Sequence, residues 1–197
     1  VRTHDLPDPP RPVRVGSPEL PGITVDDSAC DPNDLSPCGA VAVTVTGDVD
    51  WQTLVTAAVT QGWPGLETLA GVTGDVADVV RVNPSEHGQT LSDVVAAVRT
   101  WDRHHDAQRT FAWSDCDFRS GGSRFVETLP DGSYRYQVLD VSLLFKQGEL
   151  SAPIATAHLA TLLGTTRGAR VPLVEVRDAL VAGAAEEAPR RPLCNGV

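Results

Sequence analysis

Residues 40–74 constrain the fold more than any other part of the chain. Ala40–Thr46 reads AVAVTVT, with valines alternating against alanine and threonine, the pattern of a β-strand. Gly47-Asp48 turns the chain, and Asp48 or Asp50 can cap a helix running from about Asp50 to Gln61. Trp51, Leu54, Val55, Ala58 and Val59 fall on one face of that helix, which makes Trp51 a core residue rather than a stacking platform. Gly62 supplies the stop. Gly65, Gly71 and Gly74 then punctuate a loop in which positive φ and close backbone approach are allowed. Their spacing is neither G-x-G-x-x-G nor a P-loop, so no phosphate-binding motif is assigned. The whole stretch 47–94 reads as a ligand-facing loop mounted on a helix.

The remainder supplies a sheet and a few helices. Leu91–Arg103 fits helical spacing about as well as strand alternation, and its valines favour a strand. A polar turn at 102–106 carries His104 and His105, neighbours that point apart and suit a solvated turn better than a metal site. Arg109–Trp113 returns as a second strand, and Leu129-Pro130-Asp131-Gly132-Ser133 is a strong turn. Tyr134–Phe145 alternates as a long strand, with Tyr136, Val138, Asp140, Ser142 and Leu144 on one face and Leu139, Val141, Leu143 and Phe145 on the other. Pro153–Leu163 and Pro172–Gly183 read as short amphipathic helices with proline in the first turn. The expected class is α+β: a mixed or antiparallel sheet with flanking helices. Prolines at 7, 9, 10, 12, 18, 21, 32 and 37 preclude a long helix, so 1–39 is read as an extended arm, though Arg11–Val15 and Gly22–Val25 could be edge strands. The expected divisions are this arm, a core domain at 40–150, a short helical piece at 151–185 and a flexible tail at 186–197.

Charge narrows the partners. With 26 acidic against 16 basic residues the chain carries a net charge of -10, and its arginines are scattered, which argues against nucleic acid. No apolar run reaches the roughly 18 residues of a membrane helix, and no charged-then-apolar leader is present, so the expectation is a cytoplasmic protein away from membranes. Cys30 and Cys38 lack the C-x-x-C spacing of a zinc knuckle, and with Cys116 and Cys194 they are read as idle or buried thiols. No metal is assigned.

From Trp51 onward the text resembles the UDP-N-acetylenolpyruvoylglucosamine reductases, flavoenzymes in which a helix opening on tryptophan leads to a G-L-x-G-L-E-x-L-x-G-I-P-G loop. Here that loop reads Gly62-Trp63-Pro64-Gly65-Leu66-Glu67-Thr68-Leu69-Ala70-Gly71-Val72-Thr73-Gly74, followed by Asn83 and by Glu86-His87-Gly88-Gln89 in place of G-A-Y-G. Ser114–Phe118 with Ser123-Arg124-Phe125 is similar to the segment around the family's F-x-Y-R-x-S-x-F motif, and the resemblance covers roughly 40–183. It implies that 40–150 corresponds to the second flavin-binding lobe and 151–185 to the start of the substrate domain.

The departures are as informative. The family's amino-terminal flavin lobe should precede residue 40, and nothing in 1–39 resembles it. The Pro-Gly of the flavin-contacting loop is Thr73-Gly74, and the catalytic tyrosine-arginine is Ser120-Gly121, with Arg119 two residues out of register. The segments carrying the proton-donating serine and the terminal glutamate have no counterpart. Hydride transfer needs the flavin held and the enolate protonated, so the resemblance implies a truncated, degenerate member without cofactor, and not a working reductase.

The function expected on this basis is flavin-independent: a non-redox cyclisation, pericyclic ring closure included, or an isomerisation in the emptied pocket, of the kind used in polyketide-type, antibiotic biosynthesis. Shape and one or two hydrogen bonds can suffice for such steps. His87 and Glu86 are the candidate acid and base, Arg124 and Tyr136 the candidate polarising groups, and Asn83, Gln89, Arg119 and Tyr134 the candidate substrate contacts. The expected partner is a small-molecule substrate. Two other readings stay open: a non-catalytic binding or scaffold module, including a homodimer that covers the surface of the missing lobe, and a residual FAD-binding reductase.

Overall fold

The computed structural model describes residues 20–26 and 40–187. Arg11–Val15, Cys30, Cys38, Cys194 and the tail from 188 lie outside the described residues. Among the described residues seven strands are formed: β1 (Ile23–Asp26), β2 (Ala40–Thr46), β3 (Ser85–Glu86), β4 (Gln89–Thr90), β5 (Val95–Asp102), β6 (Ala107–Ala112) and β7 (Tyr136–Lys146). The fold is α+β, centred on a five-stranded antiparallel sheet in the order β1-β2-β7-β5-β6, with β3 and β4 paired separately as a small hairpin. The segment Ile23–Asp26, grouped with the arm in the sequence, pairs with Ala42–Val45 as an edge strand.

The alternation of β2 does what it promises. Val41, Val43 and Val45 are buried and sit opposite Phe145, Leu143 and Val141 of β7. On this face lies α1 (Trp51–Thr60), started by Asp50, whose carboxylate accepts the Thr53 N–H at 3.0 Å. Trp51, Leu54, Val55 and Ala58 are wholly buried, and the Trp51 indole N–H donates to the Leu69 carbonyl at 2.9 Å. That bond ties the helix to the glycine-punctuated loop. Trp63 stacks on Phe145 with ring centroids 5.8 Å apart, which seals the other end of α1.

A second helix, α2 (Val76–Val82), is capped by Asp75 and closes on a left-handed Asn83. Its entry is pinned by Val76 N–H to Val49 O and Ala77 N–H to Gly47 O, at 3.0 and 2.9 Å. Gly47 has to be glycine here: a Cβ would stand 2.6 Å from the Val138 carbonyl oxygen.

The long strand corrects the expected faces. Arg99 pairs with Asp140 and Thr100 with Val138, so Leu139 is an extra residue on β7. This bulge switches the alternation: Tyr136 and Val138 are buried before it, Val141, Leu143 and Phe145 after it. Leu144 faces solvent on the opposite side, half exposed. Tyr136, Phe111 and Phe125 pack edge to face at centroid distances of 5.2–6.1 Å and fill the core at this end.

The β5–β6 turn is held by charge. Buried Asp102 accepts from the Arg135 Nε and Nη2 at 3.0 and 2.8 Å, pairs with His105 Nδ1 at 2.8 Å, and accepts the His104 N–H at 3.0 Å. Arg135 also reaches Glu127 at 2.7 Å. The Arg135 guanidinium, ahead of the other partners, holds the Asp102 carboxyl well below the usual carboxylate range.

The short helices α3 (Ala157–Leu162) and α4 (Leu173–Glu187) form an annex with its own small core of Ile154, Leu159, Ala160 and Val176. α4 begins directly after Pro172, as expected. α3 begins later than Pro153, because Ile154 is held in a backbone bond to Ala169 at 2.9 Å and Thr156 caps the helix by accepting the Leu159 N–H. Among the described residues no helix is long and apolar enough to cross a membrane.

Candidate functional site

Between α2 and the annex the fold leaves an open cleft of about 600 Å³. Its walls are Gly71–Thr73 of the loop, Asp78, Val79 and Val82 of α2, and His158, Leu162, Leu180 and Gly183 of α3 and α4. Thr68 lines it too, and Glu86 and His87 enter it from the β3–β4 hairpin. A two-residue hairpin of this kind needs positive φ at both central positions, and His87 (φ 51°) and Gly88 (φ 92°) supply it. The bulkier residue sits in a conformation that few side chains adopt, at the point where the hairpin meets the cleft.

The hairpin is held from below by a buried polar chain. Glu67 accepts the Gly65 N–H at 2.6 Å and the Gln89 side-chain N–H at 2.7 Å. The Gln89 carbonyl oxygen in turn accepts from the Thr68 N–H and hydroxyl at 3.1 and 2.8 Å. The same Thr68 hydroxyl lies 2.9 Å from the Glu86 carbonyl. From the annex side, His87 Nδ1 shares a hydrogen bond with the Thr156 hydroxyl at 3.2 Å, and its ring stacks on His158 at 5.6 Å. His87 is thus gripped by two parts of the chain that meet only in the folded state.

The residues expected to form the site separate into three groups. Glu86 and His87 come together in the cleft. Asn83 and Gln89 are buried beneath it with their amides engaged: Asn83 donates to the Arg119 carbonyl at 3.1 Å and accepts the Ser92 N–H at 3.0 Å. The remaining four lie elsewhere. Tyr136 is in the aromatic core, and Arg124 lies over Phe111 at 5.3 Å. Tyr134 is half exposed under the Arg81 guanidinium, and Arg119 pairs with Asp117 in an exposed turn closed by reciprocal bonds with Gly122. Ser120-Gly121 occupy the tip of that turn. Sequence reasoning passed over Thr68, Asp78, Thr156 and His158, whose only signal was that Thr156 could cap a helix.

Among the described residues the cleft lining contains two carboxylates, Asp78 and Glu86, and neither Lys nor Arg. The enzymes that the sequence resembles are flavoenzymes, and the pyrophosphate of a flavin dinucleotide would find no counter-charge among these residues. The polar side chains under the hairpin are committed to one another. These residues do not fit the group, and no step is derived through it. Cys116 offers no nucleophile either: it is fully buried, and burial above all pushes its thiol up to about 12. Among the described residues no group of three or more His, Cys, Asp or Glu could hold a metal ion.

No family model matches the chain. The UDP-N-acetylenolpyruvoylglucosamine reductase of Cutibacterium acnes is 40% identical over 149 residues, 76% of this chain and 39% of the relative. That of Thermobifida fusca is 33% identical over 169 residues, 86% of this chain and 43% of the relative. Among solved structures, the UDP-N-acetylenolpyruvylglucosamine reductase of Thermus caldophilus matches 73% of this chain and 41% of its own, at 21% identity and a TM-score of 0.48. The chain spans about two-fifths of the length of the curated relatives it matches. Over the part that it spans, this chain is homologous to the UDP-N-acetylenolpyruvoylglucosamine reductases.

Proposed function

We propose that the cleft binds a small, largely apolar organic molecule and promotes a non-redox ring closure or isomerisation of it by proton transfer. The observation that carries this reading is the placement of Glu86 and His87 side by side at the mouth of an apolar-walled cleft, with His87 braced against Thr156 and His158. A braced imidazole and a neighbouring carboxylate are the groups that take a proton from one carbon or oxygen and return it to another. Val72, Val79, Leu162 and Leu180 supply walls that hold a hydrocarbon skeleton and exclude water. Restraining a flexible substrate in a reactive conformation supplies further rate without a cofactor. The relatives are named as reductases, and the serine and glycine at 120–121, where the resemblance expects tyrosine and arginine, favour a reaction without hydride transfer.

The test is incubation of the purified chain, without flavin or nicotinamide, with a panel of conjugated and polyene carbonyl compounds, followed by chromatography and mass spectrometry. The expected product has the mass of its substrate and a new retention time. His87→Ala is expected to lower its rate by about 10²–10⁴-fold, the usual span for a lost general acid or base. Equal rates in the parent, His87→Ala and Glu86→Gln would overturn the assignment.

A second reading, residual flavin capture, is favoured by one observation: Gly65-Leu66-Glu67, Leu69, Gly71 and Gly74 keep the pattern of the reductases' G-L-x-G-L-E-x-L-x-G-I-P-G loop. A titration with FAD decides between them.

A further inference from the structure

The cleft is electrostatically one-sided. Glu86 stands exposed at its mouth and has no hydrogen-bond or ion-pair partner for its carboxylate among the described residues. Asp78 faces the cleft from α2, exposed and engaged on one oxygen by Arg81 Nη1 at 2.6 Å. Arg81 does not line the cleft; its guanidinium lies 4.5 Å from the Tyr134 ring centroid. Among the described residues the side-chain nitrogens that do line it are those of His87 and His158, whose rings stack at 5.6 Å. The whole chain, at -10, adds a field of the same sign.

An anionic ligand entering this cleft would lose hydration against apolar walls and meet two carboxylates. A protonated amine would meet an unpaired carboxylate at the mouth while its hydrocarbon part met Val72, Leu162 and Leu180. We infer that the ligand of this cleft is an apolar molecule bearing a protonated amine, and that carboxylate- and phosphate-bearing ligands are discriminated against. This rests on the cleft being the ligand site, as proposed above. Glu86 is then a specificity-determining residue as well as a candidate base.

Three probes that share one ring system isolate the charge: naphthylmethylamine, naphthylmethanol and naphthoic acid. Each is titrated into the full chain at neutral pH while the amide NMR signals of His87, His158 and Leu162 are followed. The amine is expected to bind about tenfold tighter than the acid, with the alcohol between them. Glu86→Gln is expected to shrink the amine-to-acid ratio about threefold. An acid that binds as tightly as the amine, or a ratio that Glu86→Gln leaves unmoved, would overturn the charge selection while the ligand site stood. If none of the three shifts these signals, the reading of the cleft as a ligand site falls, and this inference with it.

Discussion

Glu67 is the residue on which the candidate site rests most heavily. It is 1% exposed, and its two oxygens face the Gly65 N–H and the Gln89 side-chain N–H. In Glu67→Gln the new amide brings its own N–H to one of those donors, and one buried bond is lost. Gln89→Glu sets two carboxylates face to face. Each single change is expected to cost about 1–3 kcal/mol in urea unfolding. The double exchange, Glu67→Gln with Gln89→Glu, gives every donor an acceptor again. The amide introduced at position 67 accepts the Gly65 N–H and donates to the carboxylate introduced at position 89, which accepts from Thr68. Recovery of most of the loss is the expected result; a double variant as weak as the sum of the singles would contradict the network. Asp102 makes a second case. Its carboxyl titrates below the ordinary range because Arg135 grips it, so it stabilises the fold fully above about pH 4 and ever less as pH falls through its depressed value. Urea melts at pH 7, 5 and 3 should show that decline, and Asp102→Asn should flatten it while lowering stability at pH 7 by about 3 kcal/mol. The sequence marked Asn83, Glu86, His87 and Gln89 as special, but not which of them would be buried braces and which would face a ligand. Gln89 is a brace only because Glu67 and Thr68 lie beside it, more than twenty residues away along the chain.

At the scale of elements, local chemistry made most of the fold legible. The strand at 40–46, the helix capped by Asp50, the turns at 102–106 and 129–133, and the hairpin between β5 and β6 follow from alternation, capping and turn residues that act over a few positions. The Leu139 bulge does not, because an extra residue on β7 exists only relative to β5, whose pairing partner for Asp140 is Arg99. The same holds for α3: Pro153 looks like a first-turn proline until Ile154 bonds to Ala169. The bulge makes a sharp prediction. Val141→Asp places a charge in the core and should unfold the domain or cost more than about 4 kcal/mol, whereas Leu144→Asp, three residues on and on the solvent face, should stay within about 0.5 kcal/mol of the parent. Without the bulge, Leu144 would share the inward face of Tyr136 and Val138, and the order of the two effects would change.

At the scale of the molecule, the chain combines a resemblance to the reductases with an acidic, apolar-walled cleft. The chain is 40% and 33% identical to two of the reductases and spans 39% of one and 43% of the other. Among the described residues the cleft is lined by carboxylates, imidazoles and apolar walls, without an arginine or lysine for a pyrophosphate. The sequence showed replacements at 73, 86–89 and 120–121, but the charge of the cleft depends on α2, the hairpin and the annex meeting, which no local pattern encodes. The measurement that bears most directly on the account is a titration of the purified chain with FAD, following flavin fluorescence together with absorbance between about 300 and 550 nm, the range of flavin bands. The account predicts a colourless protein and no saturable change. Saturable binding, or flavin bands in the protein as purified, would contradict it and return the redox reading to first place.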